Sequence, residues 1–160
     1  ITAMELQEVL ALVSERYPCH LYTHRKTPSL PHVINRGTAA SLKEACHIFR
    51  SSKINLNITL RSIRTGIPLR AFEIMGSGGF LLTNYQEDYL DYFEPGVDFA
   101  YYDSYDDLLA KIEYYLTHEE ERSFVAKNGY EKVKKYHTYK NRFDEMIKIM
   151  DIEQMDGDEA

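Results

Sequence analysis

Four tetrapeptides of the form hydroxyl-x-x-acid punctuate this chain and constrain its fold more than any other feature. They are TAME (2–5), SLKE (41–44), SYDD (104–107) and THEE (117–120). In each, the hydroxyl can accept from an orphan N–H at a helix start, and the acid three residues on can reach back. Helix starts near residues 3, 42, 105 and 118 follow. Helix 3–17 repeats Met4, Leu6, Val9, Leu10 and Val13 at helical spacing. Short apolar runs lie between the helices: CHLYT (19–23), KINLNI (53–58), GFLLT (79–83) and VDFAYY (97–102). KINLNI alternates Ile54, Leu56 and Ile58 with Lys53, Asn55 and Asn57, whereas GFLLT is apolar as a central parallel strand is. Strands alternating with helices imply an α/β domain, a parallel sheet with helices on both faces. The last third, 104–150, reads as helix only, with Gly129 inside it at a cost of about 1 kcal/mol relative to Ala. The expected organisation is one domain over 1–150 and an acidic, frayed tail over 151–160.

That tail carries most of the net charge. The chain is formally −6, but five acids sit in 151–160, and the remaining 20 face 19 bases. A near-neutral body has no global field to attract nucleic acid. Hydrophobic residues at 44% and charged residues at 28% are the profile of a soluble globular protein, and no apolar run reaches the roughly 20 residues that span a bilayer. Cys19 and Cys46 are too few for a disulfide framework and read as buried free thiols, consistent with a reducing cytoplasm.

The stretch GIPLRAFEIMGSGGFLLT (66–83) suggests a site. Pro68 suits the first turn of a helix and Gly76 its end, giving a helix over 68–75. Its N-terminus is a natural seat for phosphate, with amides of Thr65, Gly66 and Ile67 as donors and Gly66 allowing close approach. Arg70 would add a permanently charged fork for phosphate oxygens. Glu73, one turn on, could accept two hydrogen bonds from a vicinal diol such as that of a ribose. By spacing alone, Arg70 and Glu73 also read as an i,i+3 surface pair, the commoner case. GSGG matches neither GxGxxG nor a P-loop and reads as a turn into strand 79–83.

Several segments together resemble the C-terminal domain of group 1-type glycosyltransferases, and more narrowly the bacterial family that includes spore-maturation glycosyltransferase-like proteins. They are SKINLN (52–57), PLRAFEIMGSGGFLLT (68–83), FEPGVDFAYYDSYDDLLAKIEYYL (93–116) and EEERSFVAKNGYEKVKKYHTYKNR (119–142), and the likeness covers about 50–150. The resemblance implies one half of a GT-B fold, a Rossmann-like domain binding a nucleoside-diphosphate sugar, with a separate N-terminal domain binding the acceptor. It places Glu73 on the donor ribose hydroxyls and the loop before Pro68 on the diphosphate. Arg70 falls on a basic position of an R-x-F-E pattern. Asn57 would face the crevice at the end of its strand, and INRGTAAS (34–41) would border the base, with Gly37 permitting a tight turn. It implies no cofactor and no catalytic metal.

Departures from the family pattern limit the carry-over. Many relatives hold a further glutamate with seven residues between it and the one matched by Glu73, at the position where this chain has Thr65. Their diphosphate-neutralising Arg and Lys have no clear counterparts, though Arg61, Arg64 and Arg70 could substitute. The chain is therefore expected to be the donor-binding half of a hexosyltransferase-like enzyme, inactive alone. The alternative is a noncatalytic nucleotide- or protein-binding module. A nicotinamide-dependent oxidoreductase is disfavoured by the missing GxGxxG. Six histidines offer no metal motif: His20 and His24 lie in or beside a strand, where i and i+4 are about 13 Å apart. EKVKKYHTYKNR (131–142) reads as a solvated basic helix face on which Tyr136 and Tyr139 pack.

Overall fold

The computed structural model describes residues 2–24, 26–27, 29–59 and 65–157, and side chains only within 6–150. The elements follow as α1 (Thr2–Ser14), β1 (Cys19–Leu21), β2 (Val33–Asn35), α2 (Leu42–Ser51), β3 (Asn55–Asn57) and α3 (Leu69–Gly76). After β4 (Leu81–Asn84) come a single 3-10 turn (Glu87–Tyr89), β5 (Ala100–Tyr102), α4 (Tyr105–Thr117), α5 (Glu119–Tyr136) and α6 (Tyr139–Gly157).

Local capping chemistry starts two helices where the sequence indicates. Ser41 Oγ accepts from the Glu44 N–H at 3.2 Å, and Ser104 Oγ accepts from the Asp107 N–H at 3.2 Å. At THEE a helix does start, at Glu119, but the expected Thr117 cap is corrected. Thr117 is the last residue of α4, its hydroxyl donates back to the Glu113 carbonyl, and His118 stands at the N-cap of α5 without a side-chain cap bond. The Glu113 and Tyr114 carbonyls in the last turn of α4 compete for that hydroxyl, and they win it.

All the strands pair in parallel. β1 pairs with β2, and β3, β4 and β5 form a second sheet with β4 in the centre. β2 matches none of the expected strands; only Val33 and Ile34 of its three residues are apolar, too short a signal for periodicity. β5 is shorter than the expected 97–102, because Val97–Phe99 turn back so that the Gly96 N–H reaches the Phe99 carbonyl at 2.8 Å.

Alternation along the central strand sorts the core into two layers. Leu82, with Ala100 and Tyr102 of β5, packs under Val9 and Val13 of α1 and Leu108, Ile112 and Tyr115 of α4. Leu81 points the other way, into Ala71, Ile74 and Met75 of α3 with Phe93 and Phe99; Phe49 of α2 borders the same layer. α5 spans both, placing Val125 in the first and Val133 in the second. Leu82 is fully buried, and truncation to Ala would cost about 2–5 kcal/mol.

The GSGG segment ends α3 by a Schellman motif. Gly78 takes φ +79°, its N–H reaches the Met75 carbonyl at 2.9 Å, and the Gly79 N–H reaches that of Ile74 at 3.0 Å. The left-handed glycine is thus Gly78, and Gly76 is the last helical residue. Gly79 serves a different purpose: a Cβ there would lie 2.7 Å from the Phe49 carbonyl oxygen, so α2 can approach β4 only over a bare backbone.

Three further expectations are corrected. Cys19 and Cys46 are free but half-buried, and burial pushes the Cys19 thiol pKa up. Tyr136 and Tyr139 are exposed, at 51% and 75%, instead of packing. Asn55 and Asn57 are more buried than the aliphatic residues they alternate with, for reasons that bear on the site.

Candidate functional site

In a parallel α/β sheet the loops at the carboxyl ends of the strands form the ligand edge. β3 ends at Asn57 and β4 at Asn84, and the chain from β3 returns as α3, so the N-terminus of α3 lies at that edge. Its floor is polar and internally bonded. Asn57 Nδ2 donates to Thr59 Oγ1 at 3.2 Å and Thr83 Oγ1 at 3.3 Å. Asn84 acts as a splice: its Oδ1 accepts from the Thr59 N–H at 2.7 Å and its Nδ2 donates to the Thr59 carbonyl at 3.1 Å. The Tyr89 hydroxyl is buried beside Thr83 and Asn57 with no bond of good geometry, and burial pushes its pKa to about 12. At 8% exposure Asn57 is therefore a floor residue whose amide is spent on its neighbours, which explains why polar side chains alternate inward on this strand.

The rim comes from Thr65 to Glu73. Thr65 and Gly66 are exposed, and Gly66 takes φ +90°, the left-handed conformation glycine adopts at little cost. Pro68 is the N-cap of α3 and not its first helical residue; it has no side chain to cap the helix. Ile67 packs its side chain against the second layer of the core. Arg70 and Glu73 share a face, Arg70 Nε 3.4 Å from Glu73 Oε2, with side-chain exposures of 59% and 30%. The guanidinium also lies 5.6 Å from the Phe49 ring centroid. Both groups are reachable from solvent, and an exposed pair of this kind is held by only a few tenths of a kcal/mol.

One residue of this rim was missed from sequence. The Gly66 N–H, expected to face an anion, donates to Asp88 Oδ2 on the 3-10 turn. The contact spans 22 residues, and no local pattern signals it. Gly37, at φ +78° just after β2, donates its N–H to Asn35 Oδ1 at 2.9 Å and forms a tight turn at the end of the other sheet. Arg61 and Arg64 lie outside the described residues.

The helix has a second opening at its far end. A groove of about 750 Å3 runs past Gly76 and Ser77 and carries Arg50, Lys53, Arg122 and Lys127. It lies at the amino ends of β3 and β4, away from the polar floor. Among the described residues no three His, Cys, Asp or Glu side chains converge as a metal site, and no helix is long and apolar enough to cross a membrane.

A family described as glycosyl transferase-like matches residues 5–148. Among curated proteins none matches the chain. Eleven chains of solved structures do. One is the C-terminal domain of a glycosyl transferase group 1 family protein from Francisella tularensis, with 17% sequence identity and a TM-score of 0.64 over 86% of this chain and 80% of that one. At that identity the likeness is one of fold: parallel strands flanked by helices, closed by a C-terminal helical segment.

Proposed function

The chain belongs to the glycosyl transferase-like family, and from that premise we propose that it is the donor-binding domain of a glycosyltransferase. It holds a nucleoside-diphosphate sugar, the donor substrate, for transfer of a hexosyl group to an acceptor seated on a second, N-terminal domain. By motif the chain resembles the bacterial spore-maturation-like enzymes, and the two free cysteines fit a reducing cytoplasm. The supporting observation is α3 itself. Its N-terminus stands at the carboxyl edge of the parallel strands, with Arg70 and Glu73 side by side and open to a ligand. In this reading Glu73 takes the ribose diol. Thr65, Gly66, Ile67 and Arg70, with Arg64 as a further cation next to them in sequence, surround the diphosphate, whose departure they stabilise electrostatically. Asn57 supports the floor, and Gly37 shapes the loop beside the base. An apolar stripe on α6, with Phe143, Met146, Ile147 and Met150 each about half exposed or more, supports the second domain as its cover.

A noncatalytic module is the competing reading, and one observation favours it: Asp88 already occupies the Gly66 amide and brings negative charge to the place where a diphosphate is expected. Thermal-shift titration with UDP, GDP and dTDP separates the two. The donor reading expects stabilisation by one nucleoside diphosphate, lost in Glu73→Ala. A panel without any shift, or a shift untouched by Glu73→Ala, refutes it.

A further inference from the structure

The groove at the far end of α3 carries an unbalanced charge. It is a trough between α2 and α5, with Gly76 and Ser77 at the end of α3 as its floor. On α5 the lining positions are 119, 122, 123, 126, 127 and 130. Steps of three and one make a single helix face. The middle of that face is small, Ser123 and Ala126, which hollows the trough. Its two cations, Arg122 and Lys127, stand roughly 7.5 Å apart along the helix axis. The opposite wall brings Arg50 from the last turn of α2 and Lys53 from just past its end. Four cations thus meet one carboxylate, Glu119, in a chain whose body is close to neutral.

Two ordinary explanations cover part of this and not the whole. The carbonyl ends of α2 and α3 favour cations, which accounts for Arg50, but Arg122 and Lys127 belong to the first half of another helix. Exposed cations are commonly held in surface ion pairs. Arg50, Lys53 and Lys127 are exposed, and among the described residues none of them forms an ion pair or a side-chain hydrogen bond. Arg122 differs, because its side chain is only 9% exposed. It donates to the Tyr115 carbonyl at 2.5 Å and stands 3.6 Å from Glu119 Oε1. A guanidinium has five N–H donors, more than those two partners take up, and a buried one is costly without anions nearby. We propose that this groove binds a small anion carrying two or more phosphate groups, away from the N-terminus of α3. Cations on both walls outnumber what a single phosphate neutralises. A volume of about 750 Å3 is that of a small-molecule site, and a recess between two helices suits a free phosphorylated molecule better than a flat bilayer. Arg122 is the fixed anchor, and Arg50, Lys53 and Lys127 add charge from the rim.

Isothermal titration of the chain with inorganic tripolyphosphate at low ionic strength tests this. The expected result is one-to-one binding with a Kd below about 0.1 mM, weakened at least about threefold by each of Arg50→Ser, Lys53→Ser and Lys127→Ser. Lys148→Ser removes an exposed cation of α6 and should change nothing. Ser123→Tyr, at an exposed position, fills the trough without altering its charge and should abolish binding. Saturating tripolyphosphate should also slow alkylation of Cys46, which lines the α2 wall, and not that of Cys19. Absence of binding overturns the proposal. So does weakening by Lys148→Ser as large as by the groove variants, which would mean diffuse attraction. Loss in Arg70→Ser with the groove variants unaffected also overturns it, by moving the anion to the other end of α3. Phosphatidylglycerol vesicles form the last arm: binding to them that tripolyphosphate fails to displace would assign the groove to a membrane surface and overturn the proposal. The groove variants leave any thermal shift by nucleoside diphosphates as it is, so this proposal and the donor reading fail separately.

Discussion

Gly129→Ala should destabilise this protein although it removes a glycine from the middle of an 18-residue helix. Helix propensity alone predicts a gain of about 1 kcal/mol. The structure opposes it, because a Cβ at this position would lie 2.4 Å from the Asp98 carbonyl oxygen and 3.4 Å from Met75 Cγ and Sδ. Met75 can yield, but the carbonyl cannot easily. Its loop is clamped by the Asp98 N–H on the Glu94 carbonyl at 2.8 Å, by Asn128 Nδ2 on the Val97 carbonyl at 3.2 Å, and by Lys132 on the Asp98 carboxylate at 2.6 Å. Retreat to a tolerable 3.0 Å means moving helix or loop by 0.6 Å, from 2.4 to 3.0. Overpacking of this kind costs about 1–3 kcal/mol before relaxation of the neighbours is exhausted. At the upper half of that range the propensity gain is more than cancelled, leaving a net loss of about 1–2 kcal/mol. For a domain of this size that is a fall in Tm of about 2–8 °C. The matched control is Gly76→Ala, where the new Cβ meets only Val133 Cγ1 at 3.4 Å; it should be neutral or raise stability by about 0.5–1 kcal/mol. Differential scanning calorimetry of both variants decides. A Tm for Gly129→Ala equal to or above the parent would refute the close-approach argument, and with it the reason the Asp98 loop can lie so near α5.

Removing the Asp98 carboxylate should cost more. It is buried, accepts from the Glu94 N–H at 2.8 Å and pairs with Lys132, so Asp98→Ala is expected to lose about 2–3 kcal/mol in urea titration, and Asp98→Asn, which keeps one acceptor, less. His137 makes stability depend on pH. It packs against Phe72 and Phe93, and burial, then Arg142 and Lys132, lower its pKa below the usual 6.5. Folding thus disfavours its protonated form: the unfolded chain takes up the proton first, and stability falls as pH drops below 6.5 until the folded ring also protonates. That increment should vanish from the pH profile of His137→Phe; an unchanged profile would assign the dependence elsewhere. If a nucleoside diphosphate binds beside Gly66, Asp88→Asn should tighten it about twofold to fivefold, or 0.5–1 kcal/mol, by isothermal titration.

What could be read from sequence was whatever short range decides. Ser41 and Ser104 cap helices because their partners are three residues away, and GFLLT is the central strand because both its faces are covered by the two-layer core. THEE marked the start of α5 to within a residue but not its cap, because the same four letters also serve a helix end and the carbonyls of α4 take the Thr117 hydroxyl. Gly129 and Gly79 looked like a flaw and a turn, yet each is bare because of a carbonyl oxygen about 30 residues distant in sequence. The asparagines of KINLNI looked like a solvent face; Thr83, Asn84 and Tyr89, supplied by later segments, make that face the polar floor of the candidate site. Asp88 carried no signal because its partner is a backbone amide 22 residues before it.

These long-range contacts converge on α3. Its end is stopped by Gly78 and held down by Gly129 and Met75, and its start is steered by a left-handed Gly66 tied to Asp88. A helix of eight residues has little stability of its own, so the position of Arg70 and Glu73 is set by packing against α5 and β4 and not by helix propensity. The ion pair between them is weak and solvent-screened, whereas the helix beneath them is anchored in a close-packed layer. A ligand that separates Arg70 from Glu73 therefore has little to break, and the exposed pair is better understood as a resting arrangement than as a structural brace. That asymmetry, rigid support under a loosely held pair, is what a binding site built on a short helix requires.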